Sequence, residues 1–484
     1  MANIVVLGAG IAGHTAALFL RRRLPKEHQI IVVSPKDVYN WIPSNIWVGV
    51  GVMSAKDVVV PLRPVYQRMN IAFVQGRAVE IHPQGSANTA SPYVVVEETS
   101  SQRTGERQEI PYDYLINASG PKLNFAATPG LGPDGFSQSV CTFDHAERAA
   151  TAFLQCVERM RSGQPQTLLI GVGHGTCTCE GAAFEYVLNV EFELRRHNVR
   201  DKARVIYITN EAEIGDFGVG GLHLKRGGYV VSSRIFAESL FAERGVEWII
   251  GAHVKQVEAA RVTYETLDGQ THEQPFDYAM LLPPFTGVGI KAFDRQGADI
   301  TSELFAPNGF MKVDADYTKK PYAQWKASDW PRFYQNPQYK NIYAVGIAFA
   351  PPHPISEPRL SASGTPISPA PPRTGMPSAI MGRVVANNIA DLVLNRQHPP
   401  RTASLAELGA ACVASAGANW FSGTAASMTM YPVVPDFERF GDYGRDLKFT
   451  FGEIGSAGHW IKKLLHYMFI YKAKARPFWW MIPE

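Results

Sequence analysis

The stretch Ile4-Val5-Val6-Leu7-Gly8-Ala9-Gly10-Ile11-Ala12-Gly13 decides how the rest of the chain is read. An apolar run ends in G-x-G-x-x-G, and a helical pattern follows from His14 to about Arg23. The order is strand, glycine turn, helix. Gly8 lets the chain turn sharply, Gly10 removes a Cβ that would block a pyrophosphate, and Gly13 lets the helix sit close to the strand. The helix N-terminus offers unpaired N–H groups to phosphate. A second strand at Gln29–Val33 completes the unit, so a dinucleotide site is expected here. An acidic residue ordinarily follows that strand and holds the ribose. Here the chain reads Val33-Ser34-Pro35-Lys36, so Ser34 must do that work, which weakens NAD and leaves FAD.

At 484 residues the chain has room for two or three domains. Its net charge of +3 is too small to imply a nucleic-acid partner. No apolar run reaches the roughly 18–20 residues of a membrane-spanning helix. The N-terminus enters a strand at once, so no signal peptide is expected, and the cytoplasmic side is favoured. Five cysteines are too few for a disulfide framework in a chain of this length, and their positions point to redox chemistry.

Further along, Tyr39–Gly51 is aromatic, proline-stiffened and rich in amide and hydroxyl groups, which suits one edge of a flat ring system. Asn70–Val79 reads as a strand containing Ala78. The polar stretch from Glu80 to Pro111 reads as a surface hairpin. Tyr114–Asn117 is a buried strand that ends in Ala118, Ser119 and Gly120, small enough for close backbone approach to a cofactor. A second strand–helix unit begins at Thr167–Val172, runs through Gly173-His174-Gly175-Thr176, and continues as a helix from about Gly181 to His197. The chain returns to the first unit at Phe310–Val313 and Ile342–Gly346. Pro351–Pro372 reads as an extended surface loop and Ile380–Leu394 as a helix. In the tail, Trp460, Ile461, Leu464, Leu465 and Met468 fall at helical spacing, with Lys462, Lys463 and His466 on the other face. Lys472, Lys474, Arg476 and the aromatic run Phe478–Ile482 follow. Basic residues beside aromatic ones suit a helix lying in the headgroup layer.

The chain resembles the sulfide:quinone oxidoreductases, relatives of the flavocytochrome c sulfide dehydrogenases among flavoproteins with two dinucleotide folds. Gly8–Gly13 resembles the family's FAD pyrophosphate loop. Pro43–Gly51 is similar to its P-S-N-P-W-V-A-V-G stretch. Ser139-Val140-Cys141-Thr142 with His145 resembles its first cysteine and histidine, and Cys179–Glu185 its C-x-G-x-A-Y-E, which carries a catalytic cysteine. Thr374–Pro377 resembles its T-G-x-P beside flavin and quinone. The resemblance implies an α/β protein with two Rossmann-like dinucleotide-binding domains and a C-terminal amphipathic membrane-docking region. The expected divisions are 1–145 and 303–400 for FAD, 146–302 for the second nucleotide fold, and 401–484 for quinone and membrane.

It also implies a peripheral membrane enzyme, a homo-oligomer, that oxidises sulfide to polysulfide or sulfur and passes electrons through FAD to quinone. Sulfide, as a soft anion, attacks a disulfide sulfur. The catalytic candidates are Cys179, Cys141, Cys177, His145 and Glu185. His145 could shuttle a proton or be a helix-start residue satisfied by backbone. Glu185 could accept a proton near sulfur or be an ion-pair partner. Cofactor contacts are expected from Gly8, Gly10, Ala12, Gly13, Ser34, Pro35, Lys36, Ser44, Asn45, Ala78, Ala118, Ser119, Gly120, Gly346, Thr374 and Gly375. Trp460–Ile482 is expected to meet the membrane surface.

Three positions depart from the family. Ile347 stands where its third cysteine is expected, Ser378 where a lysine follows T-G-x-P, and Asp216 where a histidine precedes the glycine loop 217–221. The cysteine question stays open three ways: Cys141 partners Cys179, Cys177 partners Cys179, or sulfide oxidation is lost while the flavin and quinone parts remain. Cys156 and Cys412 read as buried fillers. The competing functions are NADH:quinone reduction on the same fold, and a flavin-bearing electron-transfer or scaffold subunit.

Overall fold

The structure, a computed structural model, describes residues 1–178 and 180–484. The opening strand Asn3–Leu7 lies at the centre of five parallel strands, in the order Ile342–Ala344, Tyr114–Asn117, Asn3–Leu7, Gln29–Ser34 and Ala72–His82. Ile4, Val5 and Val6 are fully buried. A parallel strand covered on both faces demands such an unbroken apolar run. The polar region read as a hairpin extends this sheet antiparallel, through Tyr93–Glu98 and Arg107–Pro111.

A second parallel sheet runs Val246–Ile249, Ala203–Ile208, Gln166–Val172 and Tyr278–Leu282. The helix Glu180–Arg196 packs on it. The chain is therefore α/β, built on two parallel sheets of the nucleotide-binding kind. Phe310–Val313 does not form a strand; Met311 makes only isolated bridges, to Phe305 and Phe349. Residues 351–372 carry no helix and no strand beyond one isolated bridge, Leu360 to Pro366.

The opening helix Ile11–Arg23 and the helix Gly375–Val393 lie against each other backbone to backbone. A Cβ at Gly382 would stand 2.3 Å from the Ala12 carbonyl oxygen. Only glycine permits that approach, and it brings the N-termini of two helices to the same end of the first sheet.

Beyond residue 400 the chain forms antiparallel strands Ala410–Ala416, Thr424–Met430 and Phe451–Gly455. The last of these joins His223–Arg226 through Lys225 and Phe451. Cys412, read from the alanine-rich sequence as a filler, sits on the first of these strands.

The tail helix spans Ser456–Ala473. Its burial is inverted. His459, Lys463 and His466 are buried, whereas Trp460, Ile461, Leu464 and Tyr467 are 44 to 56% exposed. The basic face expected to meet lipid headgroups is thus turned into the protein, because acceptors wait for it there. Lys462 pairs with Glu185 and donates to the Val413 carbonyl. Lys463 donates to the Ala418 carbonyl. His466 shares a hydrogen bond of 2.8 Å with Ser44, and Phe469 stacks on Trp41. At the far end His14 accepts from Tyr66 and donates to the Ala473 carbonyl at 2.9 Å. Among the described residues no helix is long and apolar enough to cross a membrane.

Burial holds both His14 and His466 down at a pKa of about 4. A released histidine takes its proton near a pKa of about 6.5. Seating of the tail is therefore complete above that value and weakens as the pH falls from 6.5 towards 4. Hydrogen exchange of amides 456–473, corrected for intrinsic rates, should quicken between about pH 7 and about pH 5. Unchanged protection over that interval would count against this linkage.

Candidate functional site

The residues after the opening strand form a cradle. Gly8 has φ +98°, and a Cβ there would fall 2.2 Å from the Ala118 carbonyl. A Cβ at Gly13 would fall 2.0 Å from the Gly8 carbonyl. The close approach that the sequence motif demands is thus met by backbone from the Tyr114–Asn117 strand. Gly10 differs, since a Cβ there would meet nothing within 4 Å. It caps the opening helix with no side-chain hydrogen bond and no acidic residue in the first turn. Open space faces uncapped helix N–H groups, the arrangement an anion needs.

Thr374 caps the second helix in the same bare way, and a Cβ at Gly375 would stand 3.1 Å from Ile11. Gly346, at φ +67°, abuts Ala12, and Gly120 opens onto free space. Gly8, Gly10, Ala12, Gly13, Ala118, Ser119, Gly120, Gly346, Thr374 and Gly375 therefore gather at one end of the first sheet. This cradle fits the pyrophosphate of FAD, and the paired helix N-termini would hold its negative charge.

The flanking candidates divide. The Ser34 hydroxyl donates to the Lys36 carbonyl at 2.9 Å, which leaves its lone pairs for a ribose hydroxyl. The Pro35 carbonyl accepts from Thr99, and Lys36 lies near Asp144 over the Phe143 ring. At Ala78 the strand register shifts against Tyr93–Glu98, a bulge that frees local backbone groups. Ser44 and Asn45 are hydrogen-bonded within the protein. Ser44 is bound to His466; Asn45 is locked to Asn40 and to the Val140 carbonyl. The Tyr39–Gly51 segment is likewise packed: Trp41 stacks on the tail, and Trp47 donates to Ser415.

Cys179 lies outside the described residues. Around it, Cys177 is fully buried and its thiol donates to the Leu282 carbonyl at 3.2 Å. Cys141 follows Val140, which together with Tyr186 closes on Gly49. Burial pushes the Cys141 thiol up to about 11. Thr142 caps the next helix through the His145 backbone N–H, while the His145 ring keeps a buried Nδ1 without a hydrogen-bond partner among the described residues. The backbone of His145 is thus satisfied, but its ring is not. Burial lowers the pKa of that ring. Glu185 is resolved as a structural partner. Lys462 and both the backbone N–H and hydroxyl of Ser415 occupy its carboxylate.

Cys412, read from the sequence as a filler, lies close to the second nucleotide fold. A Cβ on Gly181 would meet its sulfur at 3.8 Å, which sets this thiol against the first turn of the Glu180–Arg196 helix. Nothing in the local sequence signals it; only the strand pairing delivers it there. Burial pushes its pKa up to about 11, helped by Glu185.

The second fold carries buried carboxylates beyond its strand ends. Glu211, just past the Ala203–Ile208 strand, is fully buried and accepts from Thr209 and from the Phe217 N–H. Glu180 is buried beside it, and its Oε1 has no hydrogen-bond partner among the described residues. Burial, then Glu211, raises Glu180 well above the usual carboxylate range, and burial raises Glu211 to about 7. Asp216 caps the glycine loop through the Gly218 N–H, and Arg445 donates to Val219 and Gly221.

A family model for pyridine nucleotide-disulphide oxidoreductases matches residues 2–214. The sulfide-quinone reductase of Aquifex aeolicus is 31% identical over 476 residues, covering 98% of this chain and 91% of that one. The solved structure of the sulfide:quinone oxidoreductase from Aquifex aeolicus has a TM-score of 0.74 at 28% identity, over 98% of this chain and 92% of that one. The mouse mitochondrial sulfide:quinone oxidoreductase is 24% identical over 59% of this chain and 57% of its own length. NDH2 from Plasmodium falciparum shares the fold, with a TM-score of 0.63 at 12% identity over 98% of this chain and 96% of that one.

A side chain at Gly10 would fill the cradle without meeting protein. Gly10→Val is expected to fold with near-normal secondary structure yet to lose most of its bound flavin, read as flavin absorbance relative to protein. Full flavin occupancy in that variant would remove the pyrophosphate from this cradle.

Proposed function

The chain belongs to the sulfide:quinone oxidoreductase family, and on that footing we propose that it oxidises sulfide through cysteine sulfur, holds FAD in the glycine cradle, and reduces quinone at a membrane surface. The observation that carries this reading is identity of 31% over almost the whole chain with a sulfide-quinone reductase. Bound FAD supplies a two-electron acceptor. HS⁻ gives up two electrons and one proton as its sulfur joins a polysulfide, and quinone takes two electrons and two protons. Cys179 is assigned as the sulfur-bearing residue, with Cys141, Cys177 and Cys412 as the thiols able to share that sulfur. His145, whose buried Nδ1 has no hydrogen-bond partner among the described residues, is assigned to take up the proton. Glu185 is withdrawn from proton transfer, because Lys462 and Ser415 already use its carboxylate.

Burial and full engagement of Glu211 speak against NADH as the electron source, and Thr176 in place of the third glycine agrees. The loss of sulfide oxidation has Ile347 in its favour. Sulfide added anaerobically to the oxidised holoprotein separates the readings. Bleaching of the flavin is expected, and Cys179→Ser should lower its rate by at least about a hundredfold. No spectral change with sulfide would leave only an electron carrier, and prompt bleaching with NADH would favour the other enzyme.

Membrane docking is assigned to the outward apolar face of the tail helix. Ile461→Asp with Leu464→Asp, both at exposed positions, should release the protein from vesicles while leaving the buried Lys462 and Lys463 contacts in place. Cosedimentation undiminished in that variant would place the docking surface elsewhere.

A further inference from the structure

A pocket of ≈ 820 Å³ opens where the tail crosses the end of the opening helix and the helix Leu62–Met69. Val60, Val65 and Met69 make part of its wall apolar. Four cations, Arg22, Arg68, Lys474 and Arg476, surround it, and no carboxylate lines it. Neighbouring cations are neutralised: Arg23 by Asp391, Arg63 by Asp37, and Lys472 by Glu484. None of the four has such a partner among the described residues.

Their positions are fixed. The Arg22 guanidinium lies 4.7 Å from the centroid of the Trp480 ring, and Arg68 donates to the Lys474 carbonyl, tying the tail to Leu62–Met69. Arg476 lies 5.7 Å over the ring of Tyr471, which belongs to the exposed face of the tail helix. The basic pocket is thus continuous with the outward apolar face. Guanidinium forks match phosphate oxygens, and an aromatic ring beside them suits the boundary between headgroup and acyl chain.

We propose that this pocket binds the headgroup phosphate of an anionic phospholipid within the bilayer on which the tail docks. The proposal rests on the docking reading above and adds the class of lipid and the residues that select it. Uncompensated positive charge argues for an anionic lipid, since a zwitterionic headgroup brings its own cation to the site. The apolar wall argues for a lipid over a soluble phosphate, because it needs glycerol and acyl carbon to cover it.

The test uses full-length holoprotein with vesicles of phosphatidylcholine alone, or with about a third of phosphatidylglycerol. Wild-type protein should partition at least about tenfold more strongly onto the anionic vesicles, because each cation near such a surface contributes severalfold. The triple variant Arg22→Gln/Arg68→Gln/Arg476→Gln should bind both vesicles alike, at the wild-type level on phosphatidylcholine. A control that removes three cations elsewhere, Arg295→Gln/Lys319→Gln/Lys340→Gln, should keep the preference. Equal partition of wild type would overturn the lipid class while leaving docking intact. No binding to either vesicle would overturn docking as well. Retained preference in the triple variant, or an equal loss in the control, would remove the pocket from the account. Loss of a dimer in the triple variant with lipid partition unchanged would give the pocket to an acidic patch of a second copy.

Discussion

The contact on which the site depends is made of backbone alone. Gly13 against Gly8, Gly8 against Ala118, and Gly382 against Ala12 bring a strand end and two helix starts closer than any side chain would allow. Two helix N-termini then share one small volume at the edge of the first sheet. Each carries about half a positive charge, and neither is capped by a side chain. Such an arrangement is unfavourable without an anion between the helices. A diphosphate-containing cofactor would resolve that conflict, and its affinity for the cradle would then depend on the same glycines that pack the fold.

The tail reverses the usual logic of an amphipathic helix. Charged and polar residues normally face water because burial is costly unless each group finds a partner. Here every buried or half-buried lysine of the helix finds one. Lys462 has Glu185 and the Val413 carbonyl, Lys463 has the Ala418 carbonyl, and Lys472 has Glu484 and the Ile482 carbonyl. His466 reaches Ser44, so a segment with the look of a cofactor loop serves as a seat for the tail. Seating also orders the thiol region, because Ser415 bridges Trp47 and Glu185 three residues beyond Cys412.

Much of this was legible in the chain. The close packing implied by the glycine spacing and the strands implied by the apolar runs of both sheets are both met by the structure. The tail showed its helical period but not its orientation. Periodicity separates two faces of a helix; which face is buried depends on whether acceptors such as Glu185 and Ala418 await it from distant strands. Ser44 shows the same dependence. Its polar group suits a ligand or a partner segment equally, and the partner, His466, lies more than four hundred residues away. Cys412 was illegible because only the register of Ala410–Ala416 against its neighbours brings it to Gly181.

The outward surface of the seated tail has a practical bearing. Trp460, Ile461, Leu464 and Tyr467 present one continuous greasy strip in the native state. Two copies in plain buffer can hide that strip only against each other. The strip belongs to an intact fold, so self-association through it in detergent-free buffer would be no sign of misfolding.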